Sequence, residues 1–157
     1  MPGAVRTARG VPAARKLLEP VTELLGRVPL SAHQLLFRLA IASVFLPAAL
    51  LKLASWESTI ALFQDEYKVP LLPPLIAAVM ATTSELACSS LLIVGLATRL
   101  AALPLLGQIV TIQLFVYPHA WHEHLVWGSI LLFLLTWGGG TMSLDYLLRR
   151  WLGPQPF

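Results

Sequence analysis

Charge is what this sequence lacks. Asp, Glu, Lys and Arg make up 12% of its 157 residues, against roughly 25% in a soluble domain. So few charges cannot cover a water-soluble surface, and with 57% hydrophobic residues the composition is that of a membrane protein. The net charge of +3 rests on a few Lys and Arg beside apolar segments. It therefore carries topology information and is not a nucleic-acid footprint. Cysteine is nearly absent too. Cys88 is alone, which excludes an intramolecular disulfide and a CxxC redox pair. Buried in an apolar run, its thiol is expected to be unreactive.

What is present is long apolar runs. The one that organises the chain is Leu71 to Arg99, LLPPLIAAVMATTSELACSSLLIVGLATR. It exceeds the roughly 20 apolar residues that a helix needs to cross a bilayer core. Its centre holds one carboxylate, Glu85. A charge at mid-membrane costs at least about 2.5 kcal/mol, so Glu85 marks either a helix contact or a functional site.

Residues 1–30 are basic, and no apolar stretch directly follows the early arginines, so no cleavable signal peptide is expected. Leu17, Leu18, Val21, Leu24, Leu25 and Val28 follow a three-four spacing, which predicts an amphipathic helix on the membrane surface. A first span is expected over Gln34–Leu53, with Lys52 snorkelling to the interface at its far end. Trp56, Ile60, Phe63 and Tyr67 then share one face of a short interfacial helix. The second span is expected over Leu71–Ala97, the third over Leu100–Tyr117 and the fourth over about Leu125–Trp137. Ser143 is placed to cap a last helix, with Asp145 in its first turn and Arg149 and Arg150 near its end.

The expected fold is thus an all-α, four-transmembrane-helix bundle with amphipathic N-terminal and interfacial helices. Its expected parts are a cytoplasmic basic segment (1–30), a membrane domain (31–147) and a cytoplasmic tail (148–157). The basic N-terminal segment, Arg99 and the Arg149-Arg150 pair fall on one side, so both termini are expected to be cytoplasmic.

Several pieces, in order, carry a resemblance. They are Arg38-Leu39, Leu51-Lys52-Leu53, Val69-Pro70, Glu85 ten residues before Gly95-Leu96-Ala97-Thr98-Arg99-Leu100-Ala101-Ala102, and Gly138-Gly139-Gly140-Thr141-Met142-Ser143-Leu144-Asp145. From about Gln34 to Tyr146 the chain resembles the DoxX family of small bacterial four-span membrane proteins. The family often has Gly-Pro-Gly before Ser-Leu-Asp, where this chain has Gly139 in the middle. The resemblance implies a multi-pass protein of the bacterial cytoplasmic (plasma) membrane. Relatives include a subunit of a thiosulfate:quinone oxidoreductase and partners in membrane redox or oxidative-stress complexes. It implies a redox setting without establishing an enzyme.

Depth along the spans, counted from Arg99 at 1.5 Å per residue, brings Glu85, Gln113 and, less deeply, Gln108 toward one level. Arg38 is long enough to reach them, so Arg38, Glu85, Gln108 and Gln113 form the candidate polar cluster. Such groups can satisfy one another and set helix register, at about 0.6 kcal/mol per interhelical bond. They can also form a proton relay or the polar end of a quinone pocket. His119, His122 and His124 have spacings of three and two, unlike a helical i, i+4 metal pair, so no metal site is expected. His33 lies at the opposite face from these three, which argues against a bis-histidine haem. No intrinsic cofactor is expected, and any electron carrier would be a membrane quinone or a partner's group. The expected partners are membrane lipid and redox proteins, with no nucleic acid. The sequence leaves the oligomeric state open. A non-enzymatic anchor or scaffold, and a small-solute or proton pathway centred on Glu85, stand beside the redox reading.

Overall fold

The computed structural model describes Pro20, Glu23, Leu24 and residues 26–153. Most of the expected N-terminal amphipathic helix lies outside the described residues. Among the described residues the structure is helical, without strands. Helix α1 is Leu30–Ala54, α2 is Trp56–Leu62, α3 is Pro74–Val94, α4 is Thr98–Thr111, α5 is Trp121–Trp137 and α6 is Leu144–Leu152. Wider π-helical turns extend α2 over Phe63–Tyr67 and α4 over Ile112–Val116. Helices α1, α3, α4 and α5 run alternately up and down and pack in a ring, each against two neighbours.

Among the described residues three helices are long and apolar enough to cross a membrane: Leu30–Ala54, Pro74–Val94 and Thr98–Val116, the last being α4 with its π turn. The fourth member of the ring, α5, has 17 residues, or about 26 Å of helix. It begins at Trp121, four residues before the expected Leu125, because Pro118–Ala120 forms a short 3-10 turn that leads straight into it. The sixth helix continues through residues 147 and 148, so the expected edge of the membrane domain falls inside one element.

The packing suits lipid. Leu36, Leu51, Leu100, Leu114 and Leu125 point outward and are exposed, while buried positions are often small, such as Ala42, Ala49, Ala78, Ser89 and Ala102. Small residues let helix backbones approach closely where lipid removes the usual hydrophobic drive. A central core joins Ile41, Phe45, Leu92, Leu105, Leu131 and Leu134. The aromatic stripe of α2 belongs to a second cluster: Phe63 is buried against Ala77 and Ala78, with Trp56 and Tyr67 alongside. These aromatics cover one end of α3, where a membrane-interface position was expected.

Candidate functional site

One end of the bundle is sewn shut around Arg38. Arg38 is 1% exposed, and its Nη2 donates to the Met142 carbonyl at 2.7 Å, while Nε and Nη1 are buried with no hydrogen-bond partner among the described residues. One turn earlier, Gln34 Nε2 donates to the Trp137 and Gly138 carbonyls, both at 3.2 Å. Gly95 ends α3 in the left-handed conformation at φ +72°, with its N–H on the Leu91 carbonyl. A Cβ on Gly95 would stand 1.6 Å from Arg38 Nη1, so both backbone conformation and space require glycine there. Ser143 caps α6 as expected, accepting from the Tyr146 N–H at 3.2 Å. Asp145, expected to serve its own helix, also reaches across to α4. Its carboxylate accepts from the Ala97 and Thr98 N–H groups at 2.7 and 3.0 Å, satisfying orphan donors at that helix start.

The opposite half of the bundle holds Glu85. Lys52 Nζ donates to both carboxylate oxygens, at 2.8 and 2.6 Å, and Gln108 Nε2 donates to Oε1. The carboxylate, which only accepts, fixes the Gln108 amide with its NH2 toward Glu85, and the Ser84 hydroxyl donates to Gln108 Oε1 at 3.1 Å. The ion pair is largely removed from solvent, the side chains being 15% exposed for Lys52 and 4% for Glu85. It borders a cavity of about 340 Å³ whose other walls include Phe63, Tyr67, Met80, Pro104 and Ile112. The cavity is apolar along most of its walls and ends on a carboxylate, an ammonium and an amide.

The structure therefore brings together two of the four expected cluster residues, Glu85 and Gln108, and separates the others. Arg38 lies at the sewn end, where its Nη2 donates to the Met142 carbonyl. Gln113 lies beyond the site, donating to the Pro118 carbonyl at 2.9 Å with its Oε1 2.7 Å from His124 Nδ1. Counting from Arg99 misjudged depth because residues 95–97 form a turn that adds no helical rise. Counted from the helix ends, Glu85 and Gln108 each sit about 14–15 Å up their helices, and Gln113 sits about 7 Å farther.

Lys52 is the residue that the sequence reading assigned elsewhere. It turns into the bundle, where a snorkelling side chain was expected. Side chains lean toward their helix N-terminus, and α1 and α3 are antiparallel. Lys52 thus leans back toward Arg38 while Glu85 leans the other way, and the two close the remaining gap. A lysine flanked by leucines, facing a lone carboxylate on an adjacent antiparallel helix, was the available signal.

A line of hydroxyls leads out of the cavity. Tyr67, in its wall, packs edge-on against Tyr117 with ring centroids 5.7 Å apart, and the Tyr117 hydroxyl donates to Glu66. Burial pushes the Tyr67 phenol above its ordinary pKa, with the Glu66 and Glu85 charges adding to it. The hydrogen bond to Glu66 raises that of Tyr117 strongly. Both phenols stay protonated near neutrality. Among the described residues no three His, Cys, Asp or Glu side chains come together to hold a metal. His122 lies against Trp121, ring centroids 3.6 Å apart and tilted by 31°, while His124 faces Gln113.

No curated protein and no solved structure matches the chain. A family model described as DoxX matches residues 33–118, which contain all but the first turn of α1, all of α3 and α4, and the whole Lys52–Glu85–Gln108 site. The glycine turn and α6 lie after the matched stretch. With over half of its length matched, and with membrane-length helices in the matched part, the chain belongs to the DoxX family.

Proposed function

We propose that this protein is a membrane subunit of a quinone-linked redox complex and carries no prosthetic group of its own. The observation that supports this reading is the cavity at Glu85. Its volume of about 340 Å³ lies within the range of small-molecule sites, roughly 300–1,000 Å³. Its apolar walls suit a ring and its tail, and Lys52 and Gln108 offer N–H donors to a carbonyl oxygen at the polar end. In this reading α5 is the fourth span. The Arg38 end faces the cytoplasm of a bacterium, as the basic residues Arg99, Arg149 and Arg150 favour.

A second reading, a proton pathway centred on Glu85, draws on the Tyr67–Tyr117–Glu66 line, which reaches from the cavity to an exposed carboxylate. A scaffold role remains the simplest competitor. It predicts that the cavity can be altered without consequence for the complex.

The test is purification from native membranes, with bound proteins and quinone identified, for the natural protein and Glu85→Gln. Gln keeps the shape and the bond to Gln108 but cannot exchange a proton. The expected result is co-purified quinone and redox partners, with a folded, assembled Glu85→Gln protein that has lost quinone and complex activity. A fully active Glu85→Gln complex, or an absence of quinone from the natural one, would overturn the proposal.

A further inference from the structure

The sewn end of the bundle carries a second, unrelated cleft. It has a volume of about 540 Å³ and lies between the start of α1, the glycine turn and α6. Two cations from different elements line it, Arg99 at the start of α4 and Arg149 on α6. Among the described residues the only acidic group in its wall, Asp145, already accepts the Ala97 and Thr98 N–H groups. Two arginines against one carboxylate leave the cleft with a net positive charge of one. Arginine is also the side chain best shaped to take a phosphate with paired N–H donors. Arg99 lies over Gly138, whose Cβ would stand 3.4 Å from its Nε, so the guanidinium stem packs against the glycine turn at contact distance.

What lies beside the cleft selects the source of the phosphate. Leu144, Leu147, Leu148 and Trp151 recur on one face of α6, and all four are exposed, Trp151 at 87%. Trp137, in the cleft wall, is exposed as well. Such a face is not stable in water, and it adjoins a positive cleft at the end of a membrane-length bundle. Amphipathic helices of this kind lie in the headgroup layer, with the apolar face toward the acyl chains. Basic pockets between helices at this level suit anionic headgroups.

We propose that the cleft between Arg99 and Arg149 binds the phosphate of an anionic phospholipid, with α6 lying in the bilayer surface beside it. The site is independent of the Glu85 cavity, which is at the other half of the bundle.

The test compares thermal unfolding of the full chain in vesicles of phosphatidylcholine with that in an equal mixture of phosphatidylcholine and phosphatidylglycerol. The anionic lipid is expected to raise Tm by about 4 °C. Arg99→Gln/Arg149→Gln should abolish the rise. Arg150→Gln removes the neighbouring charge from a residue that does not line the cleft, and should keep it. Equal melting of the natural protein in the two vesicles would overturn the proposal, and needs no variant to fold. Loss of the rise in Arg150→Gln to the same extent would also overturn it, as generic attraction to a charged surface. An equal rise with inorganic phosphate in detergent would overturn the assignment to lipid.

Discussion

The two halves of the bundle each bury a cation, and they treat it differently. Arg38 is enclosed by backbone: the Met142 carbonyl accepts from it, Gly95 makes room for it, and it borders no described cavity. Lys52 is met by a carboxylate and faces open volume. A cation enclosed by a turn and held by one of its carbonyls serves architecture, since any ligand would have to displace the turn. An ion pair on a cavity wall leaves charged groups within reach of whatever enters. Burial alone therefore does not distinguish a structural charge from a functional one; the adjoining space does.

The largest expected effect breaks the sewn end. Gly95→Val puts a branched side chain at a positive φ and into the Arg38 guanidinium. It should cost more than about 5 kcal/mol and prevent a folded protein from accumulating in membranes, as read by detergent-resistant yield. Next comes the cavity. Glu85→Leu strands the Lys52 ammonium, and breaking a buried pair costs about 3–5 kcal/mol. Combining it with Lys52→Met should restore most of the loss in Tm, because the uncompensated charge goes with it. If the double variant melts no higher than Glu85→Leu, the pair is not the reason for the cost.

The smallest effect lies at the exposed end of the hydroxyl line. Tyr117→Phe removes one bond to a surface carboxylate and should cost at most about 1 kcal/mol. The pH dependence is the sharper measure. The folded pKa of Tyr117 lies above its ordinary 10.0, chiefly because of the bond to Glu66. Its contribution is complete below pH 10.0 and drains away as the pH rises through the higher folded value. Phenolate absorbance should show one tyrosine titrating late, and that tyrosine should be missing in Tyr117→Phe.

Much of this was legible in the residues. The apolar runs placed the long helices within a few residues, since hydrophobic length is a property of the chain alone. Pro70, Pro73 and Pro74 mark where one helix stops and the next starts, because backbone conformation is local, whereas Gly95 ends α3 short of the expected Ala97. Ser143 as a cap was equally local. The resemblance to DoxX rested on short motifs in order, and the matched residues 33–118 cover most of them.

The partners of the buried polar groups were decided only by the tertiary structure. Which side chains meet depends on where each helix begins along the bundle axis, on which helices are neighbours, and on the lean of long side chains toward helix N-termini. A turn of three residues at 95–97 shifts the count enough to exchange Gln113 for Gln108. The antiparallel pairing of α1 with α3 turns Lys52 from an interface anchor into the counter-ion of Glu85. The sequence alone determined that one carboxylate had to be buried in an apolar helix and needed a partner; naming that partner required the packed bundle, because depth and facing are properties of the assembly of helices and not of any one of them.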